Sequence, residues 1–169
     1  IPFHNDMYNI TNCDDIDNQV VERSYFDECF KKEYYLESKF EGIYEIKKSG
    51  KGWKYGYFEA SLKLPVGKGT WPAFWMMPVA SSNWPDCGEI DIMEEVGCVP
   101  NEVSSSIHCK AYYHAINTQK TAKKTLEGAQ EEFHTYALEW DETEIKTYVD
   151  GVLLFRYKPE DYGKRNEQT

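Results

Sequence analysis

Alternation of apolar and polar side chains at period two runs through the readable part of the chain and predicts strands. Across residues 55–64 the apolar Phe58, Ala60, Leu62 and Leu64 share one face, while Tyr57, Glu59, Ser61 and Lys63 share the other. In the same way Val103, Ile107 and Cys109 stand opposite Ser104, Ser106 and His108, which turns His108 away from the apolar side. Residues 133–140 predict a further strand, closed by the turn-forming Asp141-Glu142-Thr143. Residues 145–157 predict a hairpin, because Asp150-Gly151 between two β-branched and aromatic runs suits a two-residue type I′ turn.

Two regions carry weaker patterns. Residues 114–132 are polar with few large apolar side chains, so they predict a long surface loop or a weakly anchored helix. Near the start, the spacing of Phe26, Phe30 and Tyr34 suits a short helix over 28–37, yet Tyr34-Tyr35-Leu36 and Ile43-Tyr44-Glu45-Ile46 suit strands, and strands are the favoured reading. Residues 1–18 match no recognisable pattern. With no repeat, heptad or low-complexity stretch, the expected architecture is an all-β antiparallel sandwich or barrel, organised as a single domain over 1–169.

Composition narrows the function. The 169 residues are 41% hydrophobic, enough for one core, and the aromatic 15%, with 13 Tyr and 5 Trp, favours sheet over bundle. The net charge of -10 with no basic stripe speaks against nucleic acid and anionic membrane surfaces as partners. No apolar run approaches the ~18 residues of a membrane span. Ile1 opens no signal-peptide pattern, which suits a mature secreted chain or a cytosolic one. Cys13, Cys29, Cys87, Cys98 and Cys109 are odd in number and fit no zinc template, so no metal site is expected on them. Asn9-Ile10-Thr11 is a glycosylation sequon.

The chemistry concentrates in Gly88-Glu89-Ile90-Asp91-Ile92-Met93-Glu94. In a strand Glu89 and Asp91 share a face while Ile90 and Ile92 enter the core, and Glu94 rejoins the acids only if one residue near Met93 is bulged out. Without cationic relief, carboxylates crowded on one face repel, a cost that a solvated surface has no reason to carry and an active site does. Trp71, Trp75 and Trp84 crowd the preceding segment. Indole offers a flat face for a sugar ring and one N–H donor for its hydroxyls. With a bulge, Glu89 and Glu94 stand about four positions apart, from which two leaning side chains can reach the ~5–5.5 Å of a retaining glycosidase pair.

Glu89-x-Asp91-x-x-Glu94 resembles the signature of glycoside hydrolase family 16 in the bulged form of its laminarinase-like members. The segments 54–60, 69–78, 107–108 and 133–140 resemble the family's sequence on either side, so the likeness runs from about residue 35 to 157. It implies a concanavalin-like β-jelly roll whose concave sheet forms a polysaccharide cleft. It further implies Glu89 as nucleophile, Glu94 as general acid/base, and Asp91 as the hydrogen-bonding residue between them, with the more tightly held proton expected on Glu94. Trp71, Trp75 and Trp84 match sugar-contacting positions of the family, and His108 a histidine beside the catalytic strand.

The implied activity is retaining endo-hydrolysis of β-1,3-glucan or mixed β-1,3/1,4-glucan. Alternatives are another neutral polysaccharide, transglycosylation, or glucan binding without catalysis. The acidic charge argues against sulfated galactans, whose sulfates want cationic partners. No cofactor is required by this chemistry, and the family's calcium site does not map onto the chain. A secreted, cell-surface or periplasmic location is implied. Family members carry further strands after the hairpin, beginning near 166–169. Some terminal strands are therefore expected to be missing, with a partner chain or further segment supplying them.

Overall fold

The computed structural model describes residues 15–39, 47–80 and 83–159. A single helix of more than one turn among these residues, α1 (Asp15–Phe30), precedes ten strands. In order they are β1 (Tyr34–Lys39), β2 (Lys47–Trp53), β3 (Gly56–Leu62), β4 (Ala73–Pro78), β5 (Glu89–Glu95), β6 (Glu102–His108), β7 (Lys120–Thr125), β8 (His134–Trp140), β9 (Ile145–Val149) and β10 (Val152–Tyr157). They form two antiparallel sheets, one ordered β2-β1-β4-β5-β6-β7 and the other β10-β9-β8-β3. This is the expected two-layer jelly-roll sandwich.

The core lies between the sheets. Tyr34, Met76, Ile90, Ile92, Met93, Val103 and Ile107 from the larger sheet meet Tyr136, Leu138, Trp140, Ile145, Val149, Phe155 and Tyr157 from the smaller. Alternation places them: β3 presents Phe58, Ala60 and Leu62 inward and Tyr57, Glu59 and Ser61 outward. The β9–β10 hairpin turns through Asp150 at φ 50° and Gly151 at φ 74°, the two positive angles that a type I′ turn demands.

Two expectations need correction. The region 114–132 is neither loop nor helix throughout, because β7 pairs with β6 along Glu102↔Thr125 to Ile107↔Lys120. β7 forms one edge of its sheet and is polar on both faces, so it has no hydrophobic alternation to betray it. Near the start, the favoured strand reading holds for Tyr34-Tyr35-Leu36 in β1, but the first residues of the 28–37 window are helical. Phe26, Cys29 and Phe30 belong to α1, and their i, i+3, i+4 spacing forms one buried helical face. The helix overlaps the 28–37 window only at residues 28–30, and Tyr34 belongs to β1. Ile43-Tyr44-Glu45-Ile46, Asn9-Ile10-Thr11 and Cys13 lie outside the described residues.

Helix α1 completes the core at one end of the sandwich. Phe26 and Phe30 pack on Tyr157 with ring centroids 5.9 and 6.1 Å apart, and the indole N–H of buried Trp140 donates to Phe30 O at 3.1 Å. The Arg23 guanidinium donates to the carbonyls of Glu142 and Thr143, each at 3.2 Å. No described helix is long and apolar enough to cross a membrane.

Candidate active site

β5 carries the acids, and its register shows how. Asp91 pairs with Ser106 and Glu94 with Ser104 across β6, so three steps along β5 match two along β6. On the other side Asp91 opposes Trp75 and Met93 opposes Phe74, again with one residue to spare. The extra residue therefore lies at Ile92–Met93, both fully buried, and this bulge returns Glu94 to the face of Glu89 and Asp91. Glu95 falls on the core side. It is buried and satisfied by Asn101 N–H at 2.8 Å and Gln130 Nε2 at 3.0 Å, which makes it structural.

Each acid has its own polar partner. Trp84 Nε1 donates to Glu89 Oε2 at 2.5 Å, and Trp71 Nε1 donates to Glu94 Oε1 at 3.0 Å. His108, paired with Glu89 in the β5–β6 register, sets its Nε2 3.2 Å from Asp91 Oδ2. Trp75, on β4 beside Asp91, is largely buried, whereas Trp71 and Trp84 stand exposed at the rims. Seven residues expected at the site thus converge on one face of the larger sheet.

That face is a continuous cleft. A lobe of about 510 Å³ is lined by the acids together with Trp71, Trp84 and His108, and a lobe of about 370 Å³ runs on past Trp75 to Glu37 and Met77. Glu89, Asp91, Glu94 and Trp71 border both lobes, so the acid row lies across the middle of the cleft.

Burial pushes all three carboxyls above their ordinary range. The effect is greatest at Asp91, where the charges of Glu94 and Glu89 add to enclosure and a hydrogen bond to Glu89 favours the protonated form. Desolvation also raises Glu89, opposed by the Trp84 N–H, by the Asp91 hydrogen bond and by His114. Glu94 is raised by burial and by the Glu89 charge, and is held back by the Trp71 N–H. The rise is thus strongest at the middle of the row, where Asp91 faces both neighbouring acids. Enclosure and the nearby His114 push His108 down to about 4, so its ring is neutral at pH 7 and can donate one N–H to Asp91.

Sequence reasoning missed His114, Gln119, Thr121 and Lys123, which line the larger lobe. His114 packs on Trp84 at 5.0 Å and on His108 at 5.6 Å. Thr121 and Lys123 alternate along β7 onto the cleft face, and Thr121 shares a 2.7 Å hydrogen bond with Ser106. Their period-two spacing was present in the sequence but carried no hydrophobic mark. Among the described residues no group of three or more His, Cys, Asp or Glu side chains could hold a metal ion.

Comparison with known proteins follows the same lines. Residues 31–167 match the model of the Glycosyl hydrolases family 16. A β-glucanase of Rhodothermus marinus is 46% identical over 112 residues, covering 64% of this chain and 39% of that protein. A glucan endo-1,3-β-glucosidase A1 of Niallia circulans is 37% identical over 107 residues, covering 61% of this chain and 16% of its own length. Among solved structures, a non-specific endo-β-1,3(4)-glucanase co-crystallised with 1,3-β-D-cellotriosyl-glucose aligns with a TM-score of 0.61 at 41% identity, over 69% of this chain and 44% of that one. The chain thus spans well under two thirds of the length of each of these relatives.

Proposed function

This chain belongs to glycosyl hydrolase family 16, and on that premise we propose that it is a retaining endo-glycosidase that cuts β-1,3-glucan or mixed β-1,3/1,4-glucan outside the cell. The observation that carries the reading is the row of three carboxyls across an open cleft, with an indole donor on each outer member. Trp71 and Trp84 offer exposed ring faces at the rim, where glucose units can stack. The named activities and the bound oligosaccharide of the relatives support a β-glucan substrate.

The roles divide by environment. Glu89 holds two donors, the Trp84 N–H and the Asp91 carboxyl, which oppose the effect of burial and favour the ionised form that a nucleophile needs. Its oxygen attacks the anomeric carbon as the glycosidic C–O bond breaks, and the Glu94 proton passes to the leaving oxygen. In the second half Glu94 takes a proton from water, whose oxygen attacks the same carbon and releases Glu89. Asp91 and His108 position: His108 donates to Asp91, and Asp91 donates to Glu89. The chemistry calls on carboxyl groups alone and needs no cofactor.

Reducing-sugar release from laminarin, lichenan, agarose and xyloglucan tests the reading. Laminarin and lichenan are expected to be cleaved, with the β-anomer formed first by NMR. Glu89→Gln and Glu94→Gln should each lower turnover by at least ~100-fold while leaving the fold intact. Agarose cleavage alone, an initially inverted anomer, or a variant retaining most of its activity would each contradict the assignment.

A further inference from the structure

Trp84 donates to Glu89, yet no strand carries it. It stands in a turn that closes through Cys87 N–H to Asn83 O at 3.1 Å and Gly88 N–H to Pro85 O at 3.0 Å. Its side chain is 37% exposed at the cleft rim. An indole so placed has several rotamers open to it, and neighbouring rings select the one that aims Nε1 at Glu89.

Three rings surround the indole. His114 lies nearest to parallel, with centroids 5.0 Å and planes 34° apart. Tyr113 meets it edge-on at 5.8 Å and 84°, and His108 stands tilted at 5.7 Å and 50°. His108 is committed to Asp91 through Nε2, and His114 packs edge-on against His108 as well.

The loop that presents Tyr113 and His114 is braced by its own backbone. Cys109 and Tyr112 exchange two bonds at its base, of 2.7 and 2.9 Å. Thr118 Oγ1 accepts from Tyr113 N–H and donates to Ala111 O, both at 3.3 Å, while Thr118 N–H donates to Tyr113 O at 3.3 Å. Asn117, at φ 57°, donates its N–H to His114 O at 2.9 Å. The His114 turn is therefore fixed on both sides, as a support for a rim side chain must be.

We propose, resting on the assignment of Glu89 as nucleophile, that His114 is a positioning residue for the cleavage: stacked on Trp84, it holds the indole in the rotamer that presents Nε1–H to Glu89. Without the stack the indole is free to turn away, and a carboxylate that loses an N–H donor takes up a proton more readily. His114 thus acts on the nucleophile at one remove. Among the described residues, the other titratable groups bordering the cleft are Asp91 and Glu94 on β5, His108 on β6, Lys123 on β7 and Glu37 on β1. Tyr34 and Cys87 lie within electrostatic reach of Glu89 as well. All of these stay in place in the variants compared below.

The test is the titration of Glu89 itself, read by NMR from carbon-13-labelled glutamate carboxyls on the full chain, with Glu89→Gln identifying the resonance. His114→Ala should move the Glu89 midpoint up by about 0.5 pH unit or more, as should Trp84→Phe, which keeps a ring and removes the N–H. His114→Phe, which keeps a flat ring without the ionisable nitrogens, should recover most of that rise. The double variant His114→Ala/Trp84→Phe should rise no further than Trp84→Phe alone, because the one residue acts through the other. On laminarin the acidic limb of kcat/KM should follow the same order, with His114→Ala about 3-fold slower below the limb.

Additive rises in the double variant would overturn the proposal. So would a His114→Phe that behaves like His114→Ala, which would make the imidazole's charge the agent, or a raised KM with an unmoved Glu89 midpoint, which would make His114 a sugar contact. The titration needs no substrate. A chain that shows these midpoints and leaves laminarin intact would sustain the hold on Trp84 and overturn the assigned reaction instead.

Discussion

Asp91, 2% exposed between two other acids, is driven to keep a proton that a solvated aspartate gives up near pH ~4. The sign of its effect on stability follows. The folded-state value is raised, so the contribution to stability is fully present below the unfolded value and is lost as pH rises through the folded value. Asp91→Asn keeps the shape and removes that loss. The variant should therefore melt about 2–6 °C above the parent at pH 8, with the margin closing toward pH 4, while activity falls. His108 works in the opposite direction, being neutral when folded and costing stability as pH falls from about 6.5 toward 4, but it is present in both chains and largely cancels. Thermal melts from pH 4 to 8 decide, and a margin independent of pH refutes the assignment. The acids were legible in the sequence because alternation fixes faces, and a single phase error implies a single bulge. His114 was not, because it joins the site through packing on Trp84 rather than through any spacing along its own segment.

Elements and their connections decide how well the rims are held. Trp71 follows a turn in which Thr70 N–H and Thr70 Oγ1 both bond Gly67 O, at 3.1 and 2.7 Å. Gly97, just past β5, seals that turn by donating to Thr70 O at 2.9 Å. A Cβ at Gly97 would collide with Gly67 O and with Thr70 Oγ1, one of them backbone and neither able to swing clear. Gly97→Ala should thus displace the turn and loosen the Trp71–Glu94 hydrogen bond. A fall in kcat/KM of about ten-fold or more is expected with Glu89 and its Trp84 partner undisturbed, and unchanged kinetics would show the turn to be irrelevant to Trp71. Strands with one dry face were readable in advance for the reason the β3 pattern shows. β7 was not, since an edge strand with polar residues on both sides is chosen by its neighbour's unpaired backbone groups rather than by its own side chains.

At the scale of the whole molecule, α1 is the part that the sequence left least readable and that the core depends on. Burying Phe26 and Phe30 is worth about 1.5–3 kcal/mol each, a large share of the 5–15 kcal/mol that holds a typical domain folded. Removing residues 1–30 would also strip the Trp140 indole N–H of its acceptor. The shortened chain is expected to lose its near-UV circular dichroism and its cooperative melt, and a sharp melt within ~3 °C of the parent would show that the sandwich closes without the helix. The family likeness begins at residue 31, one position after α1 ends. Inheritance and self-sufficiency therefore draw different borders on this chain: a fragment cut where ancestry becomes visible would carry every acid of the cleft and still open a hole beneath them, so its inactivity would say nothing about the acids.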